Sequence, residues 1–182
     1  MINNLITKKY IDKETLKSAA LHFMQSRQIQ LPDFLNNAAL LKTKTTRMTK
    51  HSVPDKSSYS SAQLPSSLNF FTSEEFRVLI SFITQQQLQI KNASIKMFEH
   101  HDYTLLYDDL LQEGTLVIFE LTSEWQEDWG GYTSFVNDGE AFRIVPHKNA
   151  LFIVDHKNLK HFVKYVNHHA KGKRIFVEIW ME

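Results

Sequence analysis

The chain contains no cysteine, and it has only five glycines and four prolines among its 182 residues. The missing cysteine excludes disulfide bonds, thiol catalysis and every zinc or iron–sulfur site that needs cysteine ligands. No stretch approaches the roughly 18 consecutive apolar residues of a transmembrane helix, and the first residues carry no long apolar segment. We therefore expect a soluble, cytoplasmic protein that makes no use of a membrane.

Apolar and aromatic residues, by contrast, are abundant, at 42% and 12% of the chain. A disordered chain of similar charge would lack such aromatic residues, so the composition favours a packed globule. The length suits a single domain that spans residues 1–182. No internal repeat, P-loop, GxGxxG or GxSxG motif is present.

The net charge of +1 conceals an uneven distribution of charged residues along the chain. Residues 97–142 contain eleven Asp or Glu and no Lys or Arg, whereas the segments on either side are basic. An acidic centre of this kind is compatible with a surface that attracts a basic partner, and equally with charges scattered over the folded surface.

Residues 1–90 are predicted to be mostly helical. Asp12 is a candidate N-cap for a first helix. A second short helix is predicted to open at the LPD sequence of residues 31–33, and a third at the capping box of residues 72–75. Between the second and third helices, residues 43–67 are rich in Ser, Thr and Lys, which predicts a long loop.

Residues 91–182 are predicted to be mostly strands. Short runs rich in β-branched and aromatic residues alternate with turn residues, and the clearest of them cover residues 115–122, 141–146, 150–156 and 174–180. Helices followed by many strands indicate an α+β fold. A jelly roll with the N-terminal helices packed on one sheet is the natural closure for such a set of strands.

Three clusters carry residue types suited to chemistry. His100 and Asp102 form an HxD pair that would project to one face of a strand and could bind a metal ion, or mark only a polar strand end. The WQEDWGG sequence of residues 125–131 reads as a loop clamped by aromatic side chains. Residues 156–174 interleave His and Lys with aromatic residues, which suggests nucleic-acid binding or, more commonly, a solvated face.

Several longer motifs resemble the 2-oxoglutarate and iron(II)-dependent oxygenase superfamily, and more narrowly the ribosomal prolyl hydroxylase family. The matching segments are YID (10–12), LPDFL (31–35), HDYTLLYDD (101–109), EWQEDWGGYTSF (124–135), PHKNALFIVD (146–155) and LKHFVKYVNHHA (159–170). Members of that family carry two double-stranded β-helix domains, the first of them catalytic. The chain looks like the second, non-catalytic domain, which implies a double-stranded β-helix fold.

The resemblance also implies where metal ligands would stand. In the superfamily a tyrosine lies four residues before the first iron-binding histidine, and the carboxylate ligand follows that histidine by two residues. Tyr103 thus places Tyr107 at the first-histidine position and Asp109 at the carboxylate position. A phenol with a reference pKa of about 10 must lose its proton before it binds iron(II), so Tyr107 breaks the first ligand. On this register the HxD at His100 is a decoy.

Two further positions follow from the same alignment. The distal histidine falls on His161, or on Phe162 if the register is shifted by one residue. Arg174 stands where the family has the arginine that pairs with the far carboxylate of 2-oxoglutarate, a partner to which its guanidinium is well matched.

The resemblance therefore implies a degenerate, non-catalytic domain with no cofactor that binds a protein or positions a substrate. Its expected partner is a separate catalytic subunit or a basic ribosomal protein, and nucleic acid is disfavoured because the chain is not strongly basic. The alternative is an active 2-oxoglutarate/iron(II)-dependent dioxygenase of the prolyl hydroxylase type, which would use Asp109, His161 and Arg174. The oligomeric state does not follow from the sequence.

Overall fold

The computed structural model describes residues 5–36, 47–106, 113–137, 139 and 141–182. Its two main helices are α1 (Lys13–Ser26) and α2 (Glu74–Thr84). Its strands, in chain order, are β1 (Gln28–Leu31), β2 (Thr49–Val53), β3 (Ser57–Gln63), β4 (Ile90–Phe98), β5 (Tyr103–Thr104), β6 (Thr115–Glu120), β7 (Thr133–Val136), β8 (Ala141–Ile144), β9 (Leu151–Asp155), β10 (Lys160–Val163) and β11 (Arg174–Met181). Short 3-10 helices cover Lys8–Tyr10, Ser66–Thr72 and Glu127–Trp129.

The strands form two antiparallel sheets that face each other as an open jelly roll. The eight-stranded sheet has the order β1-β9-β6-β11-β4-β3-β2, with β5 pairing with β3, and the three-stranded sheet has the order β10-β7-β8. The predicted α+β, double-stranded β-helix fold is therefore confirmed, although the two sheets do not close into a barrel.

The predicted starts of both helices are confirmed, but the cap of α2 is Ser73 and not Thr72, the first residue of the predicted capping box, whose hydroxyl donates to the carbonyl of Asn69. Asp12 accepts a hydrogen bond from the backbone N–H of Thr15 at 2.9 Å, and Ser73 accepts one from Phe76 at 3.2 Å. The buried faces of α1 and α2 pack on the outer face of the large sheet, in a cluster that includes Phe23 and much of β11. The helices thus lie on one sheet, as the sequence predicts.

Strand β11 shows how the large sheet separates two apolar clusters. Val177 and Ile179 point outward to the helices, while Phe176 and Trp180 point inward to the small sheet. Because side chains alternate along a strand, Arg174 shares the inward face with Phe176. The start of β11 therefore carries its arginine into the space between the sheets.

The second predicted helix is wrong in the residues that the structure describes. Strand β1 ends at Leu31, Asp33 has a φ of 54°, and Leu35 pairs with Ile6 in an isolated bridge. A helix cannot pass through the left-handed conformation of Asp33. The side-chain amide of Asn149 then binds both backbone groups of Leu35. Its Oδ1 accepts from the N–H at 2.9 Å, and its Nδ2 donates to the carbonyl at 2.8 Å. The remainder of this predicted helix lies within residues 37–46, outside the described residues.

The predicted loop of residues 43–67 is also wrong where the structure describes it, because β2 and β3 form a hairpin there. Asp55 makes the turn with a φ of 57°, and β3 continues the sheet by pairing with β4. These strands lack the apolar alternation that signals a strand; Ser57 and Ser60 occupy their buried positions. Among the described residues, none of the helices combines the length and apolar character needed to cross a membrane.

Candidate active site between the two sheets

Arg174 is fully buried between the two sheets, and its guanidinium donates hydrogen bonds to acceptors of the protein itself. Its Nε and Nη2 donate to Oε2 of Glu120 at 3.2 and 3.0 Å. Its Nη1 donates to the carbonyl of Gly131 at 2.7 Å and to the hydroxyl of Thr133 at 2.8 Å. The guanidinium also lies over the ring of Phe176, 4.3 Å from its centroid. Arg174 is thus the centre of a hydrogen-bonded tie between the large sheet and the small sheet.

Glu120 is the negative partner in this tie, and it too is fully buried. Its second oxygen, Oε1, accepts a hydrogen bond from the hydroxyl of Thr122 at 2.5 Å. The same Thr122 hydroxyl accepts the backbone N–H of Ile175 at 2.9 Å, which joins the end of β6 to the start of β11. Both carboxylate oxygens are therefore satisfied inside the protein, as a buried ion pair requires.

His161 lies on β10 and faces the same interior space. Its Nδ1 shares a hydrogen bond with Nε2 of the buried His156, 2.9 Å away. Its ring stacks on Phe135 at a centroid distance of 5.7 Å and lies 5.9 Å from Trp180. Phe162 faces the opposite side of β10 and lines a surface groove with Tyr103 and neighbouring residues. Of the two residues left open for the distal position, the structure turns His161 inward.

Burial lowers the pKa of His161 to about 4, from an ordinary value of 6.5. The negative charge of Glu178 opposes this shift, while His156 and Lys96 add to it. His161 is therefore a neutral imidazole across the physiological range, held by a hydrogen bond and by aromatic contacts.

We expect this histidine to make the domain less stable in mild acid. As the pH falls from 6.5 towards 4, His161 binds a proton in the unfolded chain but not in the folded chain. This difference lowers the free energy of unfolding by up to about 3 kcal/mol. Denaturant unfolding of wild type and of His161→Gln at several pH values measures the effect, and the variant should show a flatter profile. His168→Gln, at an exposed histidine, is the control. Equal slopes for wild type and His161→Gln would contradict this assignment.

The other two positions implied by the resemblance, Tyr107 and Asp109, lie outside the described residues. The structure therefore places two of the four, His161 and Arg174, on inward-facing positions of β10 and β11. Within the described part of the chain, no group of three His, Asp or Glu side chains is arranged to hold a metal ion.

The side chains of the HxD pair, His100 and Asp102, contact other protein side chains rather than each other. The buried Asp102 carboxylate forms an ion pair with Lys50 and accepts hydrogen bonds from Ser58 at 2.6 Å and from the backbone of Glu99 at 3.1 Å. His100 is exposed and its ring stacks on that of His101, with centroids 3.7 Å apart. The pair is not brought together with a third ligand among the described residues.

The WQEDWGG loop supplies one of the acceptors of Arg174. Trp125 donates its indole N–H to the carbonyl of Gly130 at 2.8 Å, and Gly131 donates to the carbonyl of Lys164 at 3.0 Å. The carbonyl of Gly131 then points at Arg174. This agrees with the interpretation of the segment as a loop held by aromatic side chains.

Sequence reasoning missed two buried carboxylates on the inward face, Glu120 and Glu178. Glu178 pairs with Lys96 at 2.7 Å and accepts the indole N–H of Trp180 at 3.3 Å. Burial would raise the pKa of Glu178, but Lys96 and the other neighbouring donors bring it below its ordinary value. The available signal was a lone carboxylate inside each apolar run, TLVIFE and RIFVEIW, on the same alternation as inward-facing apolar residues.

Comparison with known proteins identifies the family of this chain. A family model described as "oxoglutarate and iron-dependent oxygenase degradation C-term" matches residues 46–182. The chain belongs to this family. Its membership in the 2-oxoglutarate and iron(II)-dependent oxygenase superfamily, predicted from the motifs, is thereby confirmed. The word "C-term" in the family description is compatible with a second domain.

A curated relative is prolyl 3-hydroxylase OGFOD1 of Xenopus laevis, which is 21% identical over 222 residues. The match covers 92% of this chain and 43% of the relative, so the chain spans less than half of that protein.

Solved structures with low sequence identity share the fold. They include an oxidoreductase of the 2OG-Fe(II) oxygenase family from Burkholderia pseudomallei, with 12% identity and a TM-score of 0.71, covering 94% of this chain and 92% of that chain. A prolyl-4-hydroxylase from Pseudomonas putida has 12% identity and a TM-score of 0.71, covering 92% of this chain and 98% of that one. A prolyl hydroxylase from Trichoplax adhaerens, in complex with a hypoxia inducible factor peptide fragment, has 12% identity and a TM-score of 0.71, covering 95% and 94%.

Proposed function

We propose that the domain is a non-catalytic member of its oxygenase family and acts as a protein-binding or substrate-positioning module. The observation that carries this proposal is the occupied guanidinium of Arg174. In the role that the resemblance implies for Arg174, the far carboxylate of 2-oxoglutarate would need the donors that Glu120 already uses, and Gly131 and Thr133 accept the remaining hydrogen bonds. Arg174 as arranged here does not fit an incoming carboxylate.

The energetic argument concerns what a cosubstrate would displace. A carboxylate ligand could reach Arg174 only if Glu120 moved away, and Glu120 would then remain in the interior without its positive partner. Breaking one side of a buried pair costs about 3–5 kcal/mol, which the ligand would have to supply from its own binding energy.

For the partner, we propose a basic protein such as a ribosomal protein, or a separate catalytic subunit. The acidic central segment presents Glu124, Glu127 and Asp128 together on one exposed loop, although Glu127 also pairs with Arg143. Such a surface favours encounter with a positively charged partner. The curated relative is more than twice as long as this chain, so a second protein could supply a catalytic domain that the matched segment does not contain.

The direct test is a thermal-shift titration under anaerobic conditions with iron(II) or manganese(II), with and without 2-oxoglutarate. We expect no shift in the melting temperature. Binding would be detected, because a ligand that binds the folded state at a hundredfold excess over its Kd adds about 2.7 kcal/mol of stability. A catalytically active prolyl hydroxylase run in parallel is the positive control. A metal-dependent shift with 2-oxoglutarate that disappears in Asp109→Ala would overturn the proposal and favour the active dioxygenase.

A further inference from the structure

We infer that Glu120 is the resident ligand of a carboxylate-binding site at Arg174, and that this site accepts a small free carboxylate of the acetate class when the Glu120 side chain is removed. The inference rests on the proposed function, because it explains how the domain keeps a buried arginine neutralised with no cosubstrate. It assigns Glu120 the role of an intramolecular substitute for a bound carboxylate.

The donors of this site belong to two residues, Arg174 and Thr122, and each of them has a further contact that holds it without Glu120. Arg174 extends from β11 and is held from the far side by Gly131 and Thr133 of the small-sheet side. The ring of Phe176 supports the guanidinium from below, 4.3 Å from its centroid. Thr122 is held in place by the backbone N–H of Ile175. Removing the carboxylate therefore leaves Nε and Nη2 directed at the former position of Oε2, and the Thr122 hydroxyl directed at that of Oε1.

The space left by the substitution matches a particular ligand size. Changing Glu120 to alanine removes the second methylene and the carboxylate, four heavy atoms that correspond to the four heavy atoms of acetate. Because the surroundings are close-packed and buried, the space cannot simply collapse, and cavities of this kind take ligands of matching shape. An acetate ion would also restore the charge balance of Arg174, which an apolar ligand or water cannot do.

The same argument excludes the larger dicarboxylate. The rest of 2-oxoglutarate, with its second carboxylate, would have to enter the interior where the cluster of Phe98, Phe135 and Phe176 packs, and where the ammonium of Lys96 is already paired with Glu178. A second unpaired charge in that cluster is costly. Acetate and formate should therefore bind to Glu120→Ala, and 2-oxoglutarate should bind neither to wild type nor to this variant.

The experiment measures the melting temperature of Glu120→Ala in increasing sodium acetate, with sodium chloride at equal ionic strength as the reference. We expect the variant to melt well below wild type and to regain part of the loss as acetate rises, whereas wild type shows no difference between the two salts. The matched control is the double variant Glu120→Ala/Arg174→Met, which also lacks the Glu120 carboxylate but has no guanidinium and should not respond to acetate.

Each outcome decides the inference. If Glu120→Ala is unfolded in dilute buffer, acetate should drive its refolding as followed by circular dichroism, and absence of refolding would overturn the inference. An equal response to acetate in the double variant, or none in Glu120→Ala, would also overturn it. In wild type the NMR signal of the Arg174 Nε–H should not move on addition of acetate; movement would show that Glu120 is not a fixed ligand. Binding of 2-oxoglutarate to wild type would instead refute the proposed function.

Discussion

Replacement of Arg174 by methionine should destabilise the domain by about 3–5 kcal/mol, the range measured when one partner of a buried ion pair is removed. The substitution leaves Glu120 buried with a full negative charge and only the Thr122 hydroxyl as a partner. It also removes both hydrogen bonds to the small-sheet side, at Gly131 and Thr133. Since domains are typically stable by only about 5–15 kcal/mol, this is a large fraction of the total. Denaturant unfolding monitored by circular dichroism measures the loss.

Arg143→Met is the matched control for this prediction. Arg143 forms an ion pair with Glu127, but both side chains are about half exposed, at 51% and 55%. Exposed pairs contribute only about 0–1 kcal/mol, so the control should stay close to wild type. The double variant Glu120→Leu/Arg174→Met should recover much of the loss, because an apolar pair of similar volume replaces the buried charges. Equal effects of Arg174→Met and Arg143→Met would show that Arg174 is not held as described.

Features set by neighbouring residues in the chain were predictable from the sequence. The capping residues of α1 and α2, and the apolar runs of β6, β9 and β11, depend on local spacing, and the structure contains all of them. The hairpin of β2 and β3 was not predictable in this way. Its buried positions are serines, and its strands are fixed by pairing, β3 with β4 and β2 with β3, rather than by their own pattern.

In the candidate site, too, some residues were predictable from local sequence and others only from the tertiary structure. The motifs led to His161 and Arg174, and the structure turns both towards the interior between the sheets. The partner of Arg174 could not be predicted, since Glu120 lies 54 residues away in the chain and the pair exists only through the β6–β11 pairing. Whether an arginine is open to a ligand or already neutralised is therefore a property of the tertiary structure.

Replacement of Gly130, the first glycine of the WQEDWGG loop, by alanine should destabilise the domain by about 3 kcal/mol or more. Gly130 has a φ of 74° and a ψ of −143°, a conformation that other residues rarely adopt. A Cβ atom there would lie 2.0 Å from the carbonyl oxygen of Tyr165, which is backbone and cannot rotate away. The clash would force apart the loop that brings the Gly131 carbonyl to Arg174.

Gly172→Ala is the matched control, because a Cβ atom at Gly172 meets nothing within 4 Å. It should change stability by no more than about 0.5 kcal/mol, as surface substitutions usually do. Near-ultraviolet circular dichroism gives a local readout, since Trp125 donates its indole N–H to the carbonyl of Gly130. We expect a loss of tryptophan signal in Gly130→Ala alone. If both alanine variants unfolded at the same denaturant concentration, the close approach of this loop to Tyr165 would be disproved, and with it the support that the loop gives to the guanidinium of Arg174.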